Sequence, residues 1–136
     1  MSQTSGFNQT AAESAIDNII AGGADVRLMT SQLDYTDGDT ELGNKEVSAA
    51  DYTVQSIAEV DWTVSFDSST NTATLENANE IDYGEIQNDW GVIADVAIQD
   101  PTTDEFIIAD ETNQPDLTTG EEVSFAAGEI TYTLGD

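Results

Sequence analysis

From Val60 to Phe66, apolar and polar residues alternate without a break: Val60, Trp62, Val64 and Phe66 against Asp61, Thr63 and Ser65. A period of two puts every apolar side chain on one face, so this stretch predicts a half-buried β-strand. The same period recurs at Val123 and Phe125, and again at Ile130, Tyr132 and Leu134. Turn-forming clusters separate such runs at Asp67 to Asn71, Asn77 to Asn79, Gln99 to Asp104 and Ala127-Gly128. Further strands are expected at Tyr52 to Ile57, Thr72 to Leu75, Ile81 to Ile86 and Phe106 to Ala109, the last pairing back on the strand before it. Val26 to Thr30 differs, because Val26 and Leu28 point one way while Arg27 and Met29 point the other, as in a strand covered on both faces. An apolar run follows Asp89-Trp90-Gly91 as far as Ile98, and it reads as the middle strand on which the rest assembles.

Short strands at close spacing, with no long-period repeat and no linker, predict an all-β, antiparallel β-sandwich of jelly-roll type. The expectation is one domain over 1–136, with an N-terminal arm and helix over 1–23 and the sandwich over 24–136. Its core should gather Trp62, Phe66, Trp90, Ile93, Phe125 and Tyr132. The helix is announced by Thr10-Ala11-Ala12-Glu13, which has capping-box spacing. Ala12, Ile16, Ile19 and Ile20 share one face, and Gly22-Gly23 permits the chain to leave the helix. That face either covers one end of the sandwich or serves as a docking handle, which makes Ile16, Ile19 and Ile20 a candidate interface.

Charge changes the picture more than any motif does. The chain carries 28 acidic residues against two basic ones, Arg27 and Lys45, for a formal net charge of −26. Such self-repulsion opposes compaction in dilute buffer, but at about 1 M salt the Debye length is only roughly 3 Å. The composition resembles that of proteins from extremely halophilic archaea and their viruses; an acidic extracellular or calcium-binding module is the alternative. With no basic patch, nucleic acid is not an expected partner. No apolar run reaches the ~20 residues of a membrane span, so membrane insertion is not expected either. The N-terminus lacks the basic and apolar regions of a secretory signal, and the chain is expected to be made in the cytoplasm and stay soluble.

The chain has neither cysteine nor histidine, which removes thiolate and histidine metal sites and histidine-dependent catalysis. The polar loop from Gln32 to Asn44 concentrates Asp34, Asp37, Asp39 and Glu41, oxygen ligands suited to Na, K, Mg or Ca, but without EF-hand spacing. No cofactor is otherwise expected. Carboxylate pairs such as Asp89 and Asp95 could serve glycoside hydrolysis, yet in so acidic a chain such pairs arise by chance. The expectation is no enzyme. Tyr35 and Tyr52 are the loop aromatics that a glycan-binding groove would use.

Three stretches resemble a family of small structural proteins of tailed bacteriophages, often labelled tail-fibre or minor structural proteins. Glu46-Val47-Ser48-Ala49-Ala50-Asp51-Tyr52-Thr53-Val54-Gln55 is similar to that family's E-V-S-G-G-G-Y-x-R-Q, departing at Ala49-Ala50-Asp51, where it has its further glycines, and at Val54, where it has arginine. Asp89-Trp90-Gly91 and its apolar strand resemble the family's D-W-G strand, and Thr119 to Leu134 resembles its closing segment. The resemblance implies a virion structural role on the particle exterior, with assembly in the host cytoplasm. Its partners would be other copies of the chain, other capsid or tail proteins and the host surface. A small domain without a coiled-coil shaft suggests a homo-oligomeric capsid decoration or turret subunit. The alternatives are a tail-fibre or baseplate subunit contributing to host attachment, and a cell-surface glycan-binding module.

Overall fold

Helix α1 runs from Gln9 to Ile20 and begins two residues earlier than the Thr10 capping box predicts, because Asn8 supplies the cap: its Oδ1 accepts from Ala11 N at 2.8 Å. Thr10 therefore lies inside the helix. At its end, Gly22 and Gly23 take φ of +80° and +97°. A Cβ on Gly23 would stand 3.1 Å from the Ile57 carbonyl oxygen, so both the positive φ and the close approach require glycine there. The computed structural model describes residues 8–110 and 115–135. Residues 1–7 of the N-terminal arm, 111–114 and 136 lie outside that range.

The described chain is mainly β and wholly antiparallel in its strand pairing, and its sheets do not close into a barrel. Strands β1 (Ala24–Met29), β2 (Gln55–Ile57), β3 (Trp62–Asp67), β4 (Thr72–Asn77) and β5 (Ile81–Glu85) are followed by β6 (Gly91–Val92), β7 (Asp95–Gln99) and β8 (Phe106–Ile108). Then come β9 (Asp116–Leu117), β10 (Glu122–Phe125) and β11 (Thr131–Gly135). They divide into a four-stranded sheet in the order β2-β1-β7-β8, a three-stranded sheet β11-β4-β3, and the pairs β10-β5 and β6-β9.

One apolar core joins these sheets. Ile16, Ile19 and Ile20 of α1, which lies against β3 and β4, share this core with Val26 and Leu28 of β1, Leu75 of β4 and Trp90. The other face of the four-stranded sheet has a smaller core, in which Met29 and Ala97 meet Leu33 and Leu42. Leu42 belongs to a second helix, α2 (Asp39–Lys45), within what the sequence presents as a polar loop. Glu41 caps it by accepting from Gly38 N at 2.8 Å. Coverage on both sides explains why β1 is buried at every position but Arg27.

Two strand expectations are corrected. Val60 is not the first residue of β3 but sits in a 3-10 turn, Glu59–Asp61, and is 86% exposed. Its period matches, but cross-strand pairing starts only at Trp62, opposite Asn77. The apolar run after Trp90 is not one strand. Gly91, at φ +84°, pairs with Leu117, whereas Asp95–Gln99 enters the four-stranded sheet between β1 and β8. Ile93 and Ala94 make the step, donating to Pro115 O and Met29 O, both at 2.8 Å.

Candidate functional site

The edges of two sheets face one cleft. β8 closes one side of the four-stranded sheet, β11 closes one side of the three-stranded sheet, and a single antiparallel bridge, Asp110 to Thr131, links them. Asp110 N donates to Thr131 O at 2.7 Å. Beyond that bridge the edges are not paired among the described residues, and an open cleft of about 1160 Å³ lies between and in front of them. Phe106, Ile107 and Ile108 line one side and Tyr132 and Thr133 another, while Leu33 and Tyr35 come from the loop before α2. Tyr35 is fully exposed there. Partial burial, with the charge of Asp110 nearby, pushes the Tyr132 hydroxyl above its usual range, so it stays protonated.

Carboxylates surround this cleft, and several already accept protein hydrogen bonds. Asp37 takes Asp34 N at 2.9 Å and Lys45 Nζ at 2.7 Å, which in that order hold its carboxyl below the usual range. Asp39 accepts from Gln99 Nε2 at 2.9 Å, and Asp95 from Leu33 N at 2.7 Å. Asp34, largely exposed, shares the Lys45 ammonium with Asp37 at 4.0 Å, while Asp39 and Glu41 serve other loop and helix contacts. Among the described residues, no group of three or more acidic side chains is arranged to hold a metal ion.

Both basic residues act inside the fold. Arg27 donates through Nε to Gln99 at 2.7 Å and through one terminal nitrogen to both oxygens of Glu46, at 3.0 and 3.1 Å. Glu46 also accepts from the Tyr52 hydroxyl at 2.7 Å. Burial pushes that hydroxyl well up, so it remains a donor. Tyr52 is accordingly no exposed platform: its ring stacks 6.0 Å from Tyr83 and meets Trp90 edge-on at 5.2 Å.

Asp89-Trp90-Gly91 lies in the same aromatic group. Asp89 accepts from the backbone and hydroxyl of Thr119, at 2.8 and 2.9 Å, whereas Asp95 accepts from Leu33 N. The Trp90 indole N–H donates to Asp51 at 3.1 Å. Asp51 further accepts from Gln87 N at 2.7 Å and Asn88 Nδ2 at 3.0 Å, and these donors hold its carboxyl at about 2. Its role was not apparent from sequence; the signal available was its place where the resembling family has glycine.

The remaining expected residues are distributed as follows. Trp62, Trp90 and Ile93 are buried, whereas Phe66, Phe125 and Tyr132 are half-buried against the core. Ile16, Ile19 and Ile20 are 1%, 8% and 3% exposed. Their face is filled by the chain's own strands, so it is not an exposed docking handle; the three-stranded sheet needs an apolar cover, and α1 supplies it.

A β-rich molecule with two open sheet edges on an acidic cleft has the features of a structural or recognition module. A family model described as podophage GP4 fiber I protein gp80 matches residues 7–133, and the chain belongs to that family. Comparison with curated proteins and with solved structures gives no match.

Proposed function

We propose that the chain is a non-enzymatic structural subunit of a tailed virus's fibre, on the exterior of the particle and in contact with other copies of itself and other virion proteins. The family match over 7–133 carries this reading. It supports the fibre or baseplate alternative ahead of the capsid decoration or turret subunit that chain size suggests. The net charge of −26 supports a virus of extremely halophilic archaea. A role in host attachment would follow from the fibre position. Ions of the saline medium would act on the carboxylate shell as a whole.

Immunogold labelling of purified particles tests the placement. Gold on tail appendages is the expected result, together with slower adsorption to host cells when antibody fragments are bound. Gold on the capsid surface would return the decoration reading and remove the fibre one.

A further inference from the structure

The ladder between β7 and β8 determines which backbone groups face the cleft. Ala109 N donates to Val96 O, and Asp100 N to Glu105 O. In an antiparallel pair the inward groups belong to alternate residues, so 105, 107 and 109 bond to β7 while Phe106 and Ile108 turn their N–H and C=O outward. On β11 the bond from Asn77 N to Ile130 O puts even-numbered residues on β4 and turns Thr131 and Thr133 outward. The Asp110–Thr131 bridge fits both assignments. Carried on from the bridge, its register sets Ile108 against Thr133, yet among the described residues neither backbone has a strand partner there. The two edges therefore form a wedge, closed at Asp110 and open towards Phe106.

We propose that this wedge receives an extended segment of a partner protein bearing lysine or arginine, which adds as a strand between β8 and β11. Exposed edges accept strands through main-chain hydrogen bonds, and alternate side chains set the preference. Here the lining offers two chemistries. One is apolar and aromatic, from Ile108, Tyr35 and Tyr132; the other is anionic, from Asp34, Asp104 and Glu105. Among the described residues, no basic side chain lines the cleft. A second copy of the chain fits poorly, because its two cations, Arg27 and Lys45, are already held by Glu46 and Asp37 and the rest of its charge is negative. The strand-addition geometry does not depend on where in the virion the subunit sits.

The test uses a synthetic peptide of about six residues, a common strand length, alternating lysine with valine, beside its glutamine-for-lysine and glutamate-for-lysine counterparts. Binding is read by fluorescence anisotropy at about 1 M salt, where nonspecific attraction to so acidic a protein is screened. Amide hydrogen exchange at Phe106, Ile108 and Thr133 gives the second readout. The expected result is that the lysine peptide binds more tightly than either counterpart and slows exchange at those amides. Thr133→Pro removes an outward N–H without touching the β4 ladder. It should weaken binding about tenfold or more with unfolding unchanged, while Asp34→Asn with Glu105→Gln should erase the preference for lysine. Binding without protection of those amides would overturn the proposal, as would equal binding of all three peptides or of none. A homo-oligomer that Thr133→Pro dissociates, with no peptide binding, would assign the wedge to a second copy instead.

Discussion

Two tryptophans illustrate how similar residues differ by one contact. Trp90 is buried, edge-on to Tyr52 and Tyr83, and its indole N–H reaches Asp51. Trp62 is equally buried, but its indole N–H has no acceptor among the described residues. An unsatisfied buried donor costs about 1–3 kcal/mol, roughly offsetting the packing that a smaller ring loses. Trp62→Phe should therefore leave stability nearly unchanged, while Trp90→Phe should cost about 1–3 kcal/mol and Trp90→Ala about 3–5 kcal/mol in denaturant unfolding. Asp51 adds a pH dependence. Its folded carboxyl sits at about 2, below the unfolded value of roughly 3.9, so its contribution is complete above about pH 4 and is lost as pH falls towards 2. Asp51→Asn should be less stable at neutral pH and lose stability less steeply across that window, as followed by urea unfolding at several pH values. The tryptophans' burial was legible in their apolar surroundings; their hydrogen-bond partners, distant in sequence, were not.

Among the elements, α1 and the connection around Arg27 carry the clearest consequences. The spacing of Ala12, Ile16, Ile19 and Ile20 identifies the apolar face, but an apolar face alone does not say what covers it. With those side chains in the chain's own core, Ile16→Ala should cost about 2–5 kcal/mol. Ile16→Asp with Ile20→Asp should prevent folding rather than merely dissociate an oligomer, as read by circular dichroism and sedimentation. Arg27 lies on the more polar face of β1, where its guanidinium holds Glu46 beside Gln99 and Tyr52. The Glu46 side chain is only 12% exposed, so Arg27→Met strands a poorly solvated carboxylate and should cost about 3–5 kcal/mol. Replacing both partners by apolar residues should recover much of that loss, in a double-mutant cycle. Helix α2 escaped prediction because its polar sequence buries a single side chain, Leu42, which periodicity cannot detect.

For the whole molecule, a charge of −26 with both cations held in internal contacts leaves the carboxylates to repel one another. Screening should then stabilise the fold. The melting temperature is expected to rise between about 0.1 M and about 1 M salt, where the Debye length falls from roughly 10 to 3 Å. Chloride salts of sodium and potassium should act alike, since screening depends on ionic strength. A flat response in calorimetry would count against a saline origin.

Alternation, turn clusters and composition determined by themselves that the chain is mainly β, antiparallel, strongly acidic and without histidine or cysteine chemistry. Those properties are local or additive, so the order of residues suffices to read them. Only the tertiary structure decided which sheet each strand joins. Gly91 takes a positive φ and the run after it divides between two sheets, because partners on β9 and β1 compete for adjacent residues. The wedge between β8 and β11 is also tertiary. It depends on two edges, far apart in sequence, meeting at Asp110 and Thr131 and then diverging, and no local pattern encodes that meeting.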